Sequence, residues 1–258
     1  MAENGVNLAK IKKQHKAEIT EIKKVSKTLY HIKFVPDSSF VAVPGQFVSI
    51  LCSDFTMRRP FSIASFENNE ISVLFKKKGG GTEYISKLKK ADKIDFIGAM
   101  GNGFKYKNKQ RSLLVGAGVG IAPVFYLKNE MDKINSENRL LAGFMTKDEI
   151  PENMKIDSVC TNDGSFGLKG SILDYLEKEI IHYKPDKIYA CGPMIVLKIT
   201  TEIAQKHNIP CEIAMEKVMA CSIGVCRGCV IQVNKNGKIV NASVCQDGPV
   251  FLGNEVVW

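Results

Sequence analysis

No apolar run in this 258-residue chain approaches the roughly 18 residues that a membrane-spanning helix needs, and no apolar stretch follows Met1 to Gly5 as it would in a secretory signal. The expected setting is the cytoplasm, with no membrane partner. Histidine is scarce, at four residues, and His15, His31, His182 and His207 all fall in polar or edge positions that read as ordinary surface. No Ser/His/Asp or other general-base constellation is present, so hydrolytic chemistry is not expected and no catalytic side chain is assigned. Internal repeats and low-complexity segments are missing too. The formal net charge of +9 raises nucleic acid as a partner, but the lysines are diffuse. Neither of the two runs, Lys10 to Lys16 and Lys76 to Lys78, has the interleaved aromatics that stack bases. They read as solvated faces, or as attraction for an anionic cofactor and an acidic partner subunit.

What is there begins with length and 45% hydrophobic content, enough for two globular domains and a small appendage. Between residues 17 and 105 the runs Ala17–Lys24, Thr28–Pro36, Gln46–Leu51, Ser62–Ser65, Ile71–Lys76 and Lys93–Ile97 alternate or are β-branched, separated by Pro, Gly, Asn and Asp. They imply a small closed antiparallel barrel, since closure removes exposed edges. One helix should interrupt it, capped by Thr82, with Tyr84, Ile85 and Leu88 on one side. From Arg111 strand and helix patterns alternate: strands at Ser112–Val115, Arg139–Phe144, Lys155–Thr161 and Lys187–Ala190, helices after Pro123 to Ile134, at Ser171–Glu179 and at Pro193–Lys206. That order implies a doubly wound α/β domain with a parallel sheet. The expected units are residues 1–107, 108–210 and 211–258, the last a cysteine-rich appendage.

The appendage carries Cys221, Cys226, Cys229 and Cys245 at the spacing C-x4-C-x2-C-x15-C. Four thiolates in this order match the plant-type ligand run for a [2Fe–2S] cluster, a carrier of single electrons. Gly224 and Gly228 would let the loop turn its amides toward sulfur. A hairpin, Val230–Val233 and Lys238–Ala242 around a polar turn at Asn234–Gly237, would return the chain to Cys245. Structural zinc, which prefers paired C-x2–4-C units, and disulfides, which need an oxidising compartment, are the other readings. The remaining cysteines, Cys52, Cys160, Cys191 and Cys211, lack partner spacing and read as buried apolar side chains.

Three further motifs suit anionic, planar ligands. In Arg59-Pro60-Phe61-Ser62 a proline-fixed strand presents an arginine fork to a pyrophosphate and a serine to a flat heterocycle. In Gly79 to Thr82 a glycine run opens a helix, where amides and dipole favour negative charge. Gly116, Gly118, Gly120 and Pro123 follow a buried strand at the carboxyl edge of the sheet, where ligands bind. Pro123 stands where the Rossmann fingerprint has its third glycine. Cys191-Gly192-Pro193-Met194 repeats strand, turn and helix, and the two turns would flank one crevice. Thr161 to Ser165 also ends a strand, where Asp163 could contact a nucleotide or cap its own loop.

Taken together these residues resemble the ferredoxin-reductase-like flavoproteins and, more closely, the electron-transfer subunits of the NAD-dependent, two-subunit dihydroorotate dehydrogenases of bacteria. The resemblance spans nearly the whole chain. It implies FAD at Arg59, Pro60, Phe61 and Ser62, at Leu74, Phe75 and Lys76, and at Gly81 and Thr82. It implies NAD at Gly116 to Pro123 and at Cys191 to Met194, and the cluster on the four cysteines. It further implies an FMN-containing catalytic subunit as partner, in a heterotetramer of two of each, with electrons passing from dihydroorotate through cluster and FAD to NAD+ in pyrimidine biosynthesis. Four positions depart from the pattern: Gly80 where a lysine is usual, Lys77 and Lys78 where apolar residues are, and Ala99 for a proline. Small subunits of NADH-dependent ferredoxin:NADP oxidoreductases and sulfide dehydrogenases share the same motifs. A zinc-stabilised binding module is the reading from another class.

Overall fold

Alternation of polar and apolar residues decides the first domain. The computed structural model describes residues 13–53, 55–152 and 154–258, so Met1 to Gly5, Lys10 and Lys12 lie outside it. In β1 (Lys13–Lys24) His15, Ala17 and Ile19 turn inward while Gln14, Lys16 and Glu18 face out, the period-two pattern of a half-buried strand. With β2 (Leu29–Pro36), β3 (Phe47–Ile50), β4 (Arg59–Glu67), β5 (Glu70–Lys76) and β6 (Lys93–Met100) it closes a barrel in the order β1-β2-β5-β4-β3-β6. Ile19, Ile32, Phe34, Ile50, Ile63 and Phe96 fill the interior. His15 is a correction to the surface reading. Its register places it inward, 4% exposed, stacked on Phe96 at 5.1 Å and hydrogen-bonded through Nδ1 to Ser38 at 2.9 Å.

The helix after β5 also differs in detail. In α1 (Gly80–Ser86) Gly79 is the cap residue and Thr82 lies inside the first turn. The Thr82 hydroxyl reaches back to accept the amides of Lys78 at 2.9 Å and Gly79 at 3.1 Å. Leu88 lies beyond the helix end.

The second domain is the α/β unit: β7 (Ser112–Ala117), α2 (Ile121–Lys133), β8 (Asn138–Phe144), β9 (Ser158–Thr161), β10 (Leu168–Lys169), α3 (Ile172–Tyr183), β11 (Lys187–Cys191), α4 (Met194–Lys206) and β12 (Cys211–Ala214). A single 3-10 turn over Gly118–Gly120 precedes α2, which starts two residues before Pro123. Proline is tolerated there because the first helical turn needs no amide donor from it.

The cysteine-bearing end contains β13 (Val230–Lys235) and β14 (Lys238–Ser243), paired from Val230↔Ser243 to Lys235↔Lys238. The strands run further than their sequence suggests, because Asn236 and Gly237 alone make the turn, at φ of 53° and 80°. Both left-handed angles suit a two-residue hairpin. The last strand, β15 (Val250–Leu252), pairs antiparallel with β12, giving a seven-stranded sheet ordered β10-β9-β8-β7-β11-β12-β15. The stretch from residue 211 therefore contributes the edge strand β15 and its neighbour β12 to this sheet as well as the cysteines.

Candidate functional site

A cleft of about 240 Å³ opens where the barrel meets the α/β unit. One wall is Pro60, Phe61 and Ser62 of β4 with Leu74, Phe75 and Lys76 of β5, and Thr82 closes one end. Val119, Ala122, Met215, Met219 and Pro249 supply the opposite side, from segments far apart in the chain. Apolar walls with a few placed polar groups suit a planar heterocycle.

Arg59 lies just outside this cleft. It packs against the start of α1, where a Cβ on Gly81 would come within 2.6 Å of its Nε. Only glycine lets the guanidinium lie there. Phe55 covers it from above, with the ring centroid 5.1 Å from Cζ. The same ring lies over Gly80, where a Cβ would run into Phe55. Arg58, its neighbour in sequence, turns the other way and is held by Asp95 at 2.6 Å. Arg59 is thus the guanidinium beside the cleft.

A second hollow of about 520 Å³ lies at the carboxyl edge of the sheet. Gly118 and Gly120 line it from one turn, Gly192 and Pro193 from the other. The two turns touch: a Cβ on Gly120 would meet the Cys191 carbonyl oxygen at 2.6 Å, and one on Gly192 the Cβ of Ala117 at 2.8 Å. Gly116, Pro123 and Cys191 are buried behind the lining, and burial pushes the Cys191 thiol well up. Met194 turns away into a separate hollow with Trp258. Asp163 caps its own loop, accepting the Ser165 amide at 3.0 Å and hydroxyl at 2.6 Å, and it is Asn162 that faces the crevice.

The two hollows share Lys76, Lys78, Val119 and Glu216. Lys76 is tied across the domain seam to Glu149 at 2.5 Å. Lys78, Glu216, Met215, Met219 and Pro249 are site residues the motif reading missed. Lys78 carried a signal as part of a basic run that read as solvated; the others carried none.

The four cysteines of the run share one neighbourhood, since Cys226 acts on Cys221, and Cys229 and Cys221 both act on Cys245. Backbone amides turn inward: Cys226 N donates to Cys221 Sγ at 3.3 Å, Gly228 N to Cys226 Sγ at 3.4 Å and Cys245 N to Cys229 Sγ at 3.4 Å. Burial raises the Cys221 thiol, but the amides of Cys226, Ile223 and Val225 and the Cys226 side chain outweigh it and bring it to about 6. Cys245 goes the other way, to about 12, through burial and then its Cys229 neighbour. Left-handed angles fall at Ser222, Gly224 and Arg227, at 60°, 85° and 54°. Gly228, expected to need one, does not. Among the described residues no group of three or more His, Cys, Asp or Glu side chains is arranged to hold a metal ion. The remaining cysteines are all buried.

Residues 216–257 match the family model described as the iron-sulfur cluster binding domain of dihydroorotate dehydrogenase B. The chain is 38% identical over 220 residues to the electron transfer subunit of dihydroorotate dehydrogenase B (NAD(+)) from Caldanaerobacter subterraneus subsp. tengcongensis, covering 83% of this chain and 87% of that one. The Geobacillus sp. subunit of the same name is 31% identical, over 95% of this chain and 99% of its own. Among solved structures, that of an NADH-dependent reduced ferredoxin-NADP oxidoreductase superposes with a TM-score of 0.83 at 30% identity, covering 94% of this chain and 90% of that chain. A ferredoxin reductase of carbazole 1,9a-dioxygenase, at 19% identity and a TM-score of 0.67 over 77% of this chain and 67% of that chain, shares the fold.

Proposed function

Because the chain belongs to the family of dihydroorotate dehydrogenase B electron-transfer subunits, we propose that it relays electrons between an FMN-bearing catalytic partner, which oxidises dihydroorotate, and NAD+. The protein is an oxidoreductase subunit with the ferredoxin-reductase-like fold and an iron-sulfur region. Its carriers in this reading are FAD, in the barrel cleft, and a [2Fe–2S] cluster on Cys221, Cys226, Cys229 and Cys245. Flavin supplies the exchange of one electron or two, joining a one-electron cluster to a nicotinamide that takes a pair.

The chain's own residues place these groups. Pro60 to Ser62 and Leu74 to Lys76 offer two adjacent strands against which a flat ring can lie. Arg59, seated on Gly81, brings positive charge to the phosphate end. Two touching glycine turns present Gly118, Gly120, Gly192 and Pro193 to a nucleotide at the edge of the sheet. Lys76, Lys78, Val119 and Glu216 border both hollows, so these residues would adjoin both a flavin and a nicotinamide nucleotide held there. No arginine cluster follows β8, whose end Phe144 to Lys147 has one cation. That favours NAD over NADP.

The observation that carries the reading is that residues 216–257, which hold all four cysteines of the run, match an iron-sulfur cluster binding domain, with backbone amides turned to three of the sulfurs. Inward amides stabilise the charge that such ligands carry. Among the described residues no helix is long and apolar enough to cross a membrane, and a cytoplasmic heterotetramer of two of each subunit fits this reading. The test is purification of the native complex. Visible flavin and cluster absorption, about two irons and two sulfides per chain by ligand count, and a co-purifying dihydroorotate-oxidising subunit are expected. Colourless, zinc-containing protein would refute the relay, and a ferredoxin- or sulfide-linked partner would move the substrate.

A further inference from the structure

Both segments that carry the cysteines are tied to the barrel. Past β6, Asn102 accepts the Val250 amide at 2.9 Å, donates to the carbonyls of Val250 and Asp247 at 2.9 and 3.2 Å, and gives its own amide to Gly248 at 2.7 Å. That clasp holds the segment after Cys245. The loop of the first three cysteines has a different tie: Ser49 Oγ donates to Ser222 Oγ at 2.9 Å. Ser49 is 0% and Ser222 1% exposed. Ser49 sits in β3 directly opposite Pro60, which lines the barrel cleft, and Ser222 immediately follows Cys221.

Ser222 is an unexpected residue for its backbone. Its φ of 60° lies where a Cβ is crowded and where glycine goes freely. A hydroxyl there is also buried, and a buried hydroxyl without a partner is destabilising. Serine at this angle becomes favourable because Ser49 meets it.

We propose that the Ser49–Ser222 hydrogen bond is a positioning device, which holds the Cys221–Cys229 loop against the strand backing the flavin cleft and so sets the surroundings of the cluster facing the barrel. The proposal rests on the relay reading above. Cluster potential responds to hydrogen bonding at sulfur and to water access, and a loop freed from the barrel changes both. The link runs from Pro60 to its cross-strand neighbour Ser49, by hydrogen bond to Ser222 and along the chain to Cys221.

The test compares Ser49→Ala and Ser222→Gly in the full complex with Tyr126→Phe. Tyr126 provides a matched control, a buried hydroxyl donating to the Ala42 carbonyl at 3.0 Å and joining barrel to α2 away from the cysteines. Hydrogen exchange of amides 221–229 should quicken roughly fivefold in both serine variants, the factor expected from one net hydrogen bond. Tyr126→Phe should leave it unchanged. The cluster's reduction potential and paramagnetic signal should shift in both serine variants and not in the control. Ser222→Gly relieves the backbone angle but adds backbone freedom, so Ser49→Ala, which leaves the loop's sequence unaltered, is the deciding variant. The double variant should be no worse than either single one, since both remove one bond. Unchanged exchange and potential in Ser49→Ala, or equal changes in Tyr126→Phe, overturn the proposal. Wild-type complex without iron would instead refute the relay itself.

Discussion

One methyl group at Gly120 tests the nucleotide crevice directly. Gly120 has φ of −63°, an ordinary helical value, so alanine meets no backbone penalty there. What it meets is the other turn: its Cβ would lie 2.6 Å from the Cys191 carbonyl oxygen, 2.7 Å from the carbonyl carbon and 2.7 Å from the Gly192 nitrogen. These are backbone atoms and cannot rotate aside. The two turns must therefore part, and overpacking of this kind costs about 1–3 kcal/mol. Expressed wholly as weaker nucleotide binding, that is about a five- to 150-fold loss of affinity. Any part not felt in binding lowers the melting midpoint instead, by about 2–4 °C per kcal/mol for a chain of this size. The assay is the NADH dependence of dye reduction, with flavin content measured in parallel. We expect KM for NADH to rise several-fold or more. A KM within twofold of wild type together with an unchanged melting midpoint would show that the turns are not packed against one another as described.

Cys226→Ser should abolish the cluster and electron passage to the catalytic subunit while sparing NADH-to-dye turnover; undiminished coupled turnover would contradict the ligand assignment. Arg59→Ala should weaken FAD retention, because a charge-assisted phosphate contact contributes about 1.5–3 kcal/mol, and full flavin occupancy after dialysis would count against it. His15 is held below its usual 6.5 by burial and then by Lys13, and His31 by burial and then by Lys33. Since the unfolded chain takes up protons that the folded one refuses, stability should be full above pH 6.5 and fall as pH drops below it. His15→Gln should flatten the melting midpoint between pH 7 and 5, and an equally steep profile in that variant would exclude His15 as a cause.

Local chemistry was readable along the chain. Period-two alternation marks the barrel strands, as in β1, because one face of each must be buried. The glycine turns after β7 and β11 announce themselves because close approach admits nothing larger, as Gly120 and Gly192 show. Spacing alone marked the four cysteines as one ligand run, since covalent geometry keeps Cys221, Cys226 and Cys229 within one tight loop. A polar hairpin turn within Asn234 to Gly237 was readable too, although Asn236 and Gly237 alone make it.

Other features depend on which segments meet. Two adjacent arginines look alike in sequence, yet Asp95 holds Arg58 and Gly81 makes room for Arg59. His15 reads as polar surface until Phe96 and Phe40 close over it. Strands β12 and β15 are too short to stand out, and they become strands because a sheet edge receives them. Met215, Met219 and Pro249 reach the barrel cleft from the cysteine end of the chain. Residue order determined which chemical groups this protein carries and how neighbouring ones turn, because bond geometry acts over a few residues. The packed fold alone decided which of them face one another, because burial of distant apolar surfaces sets those distances.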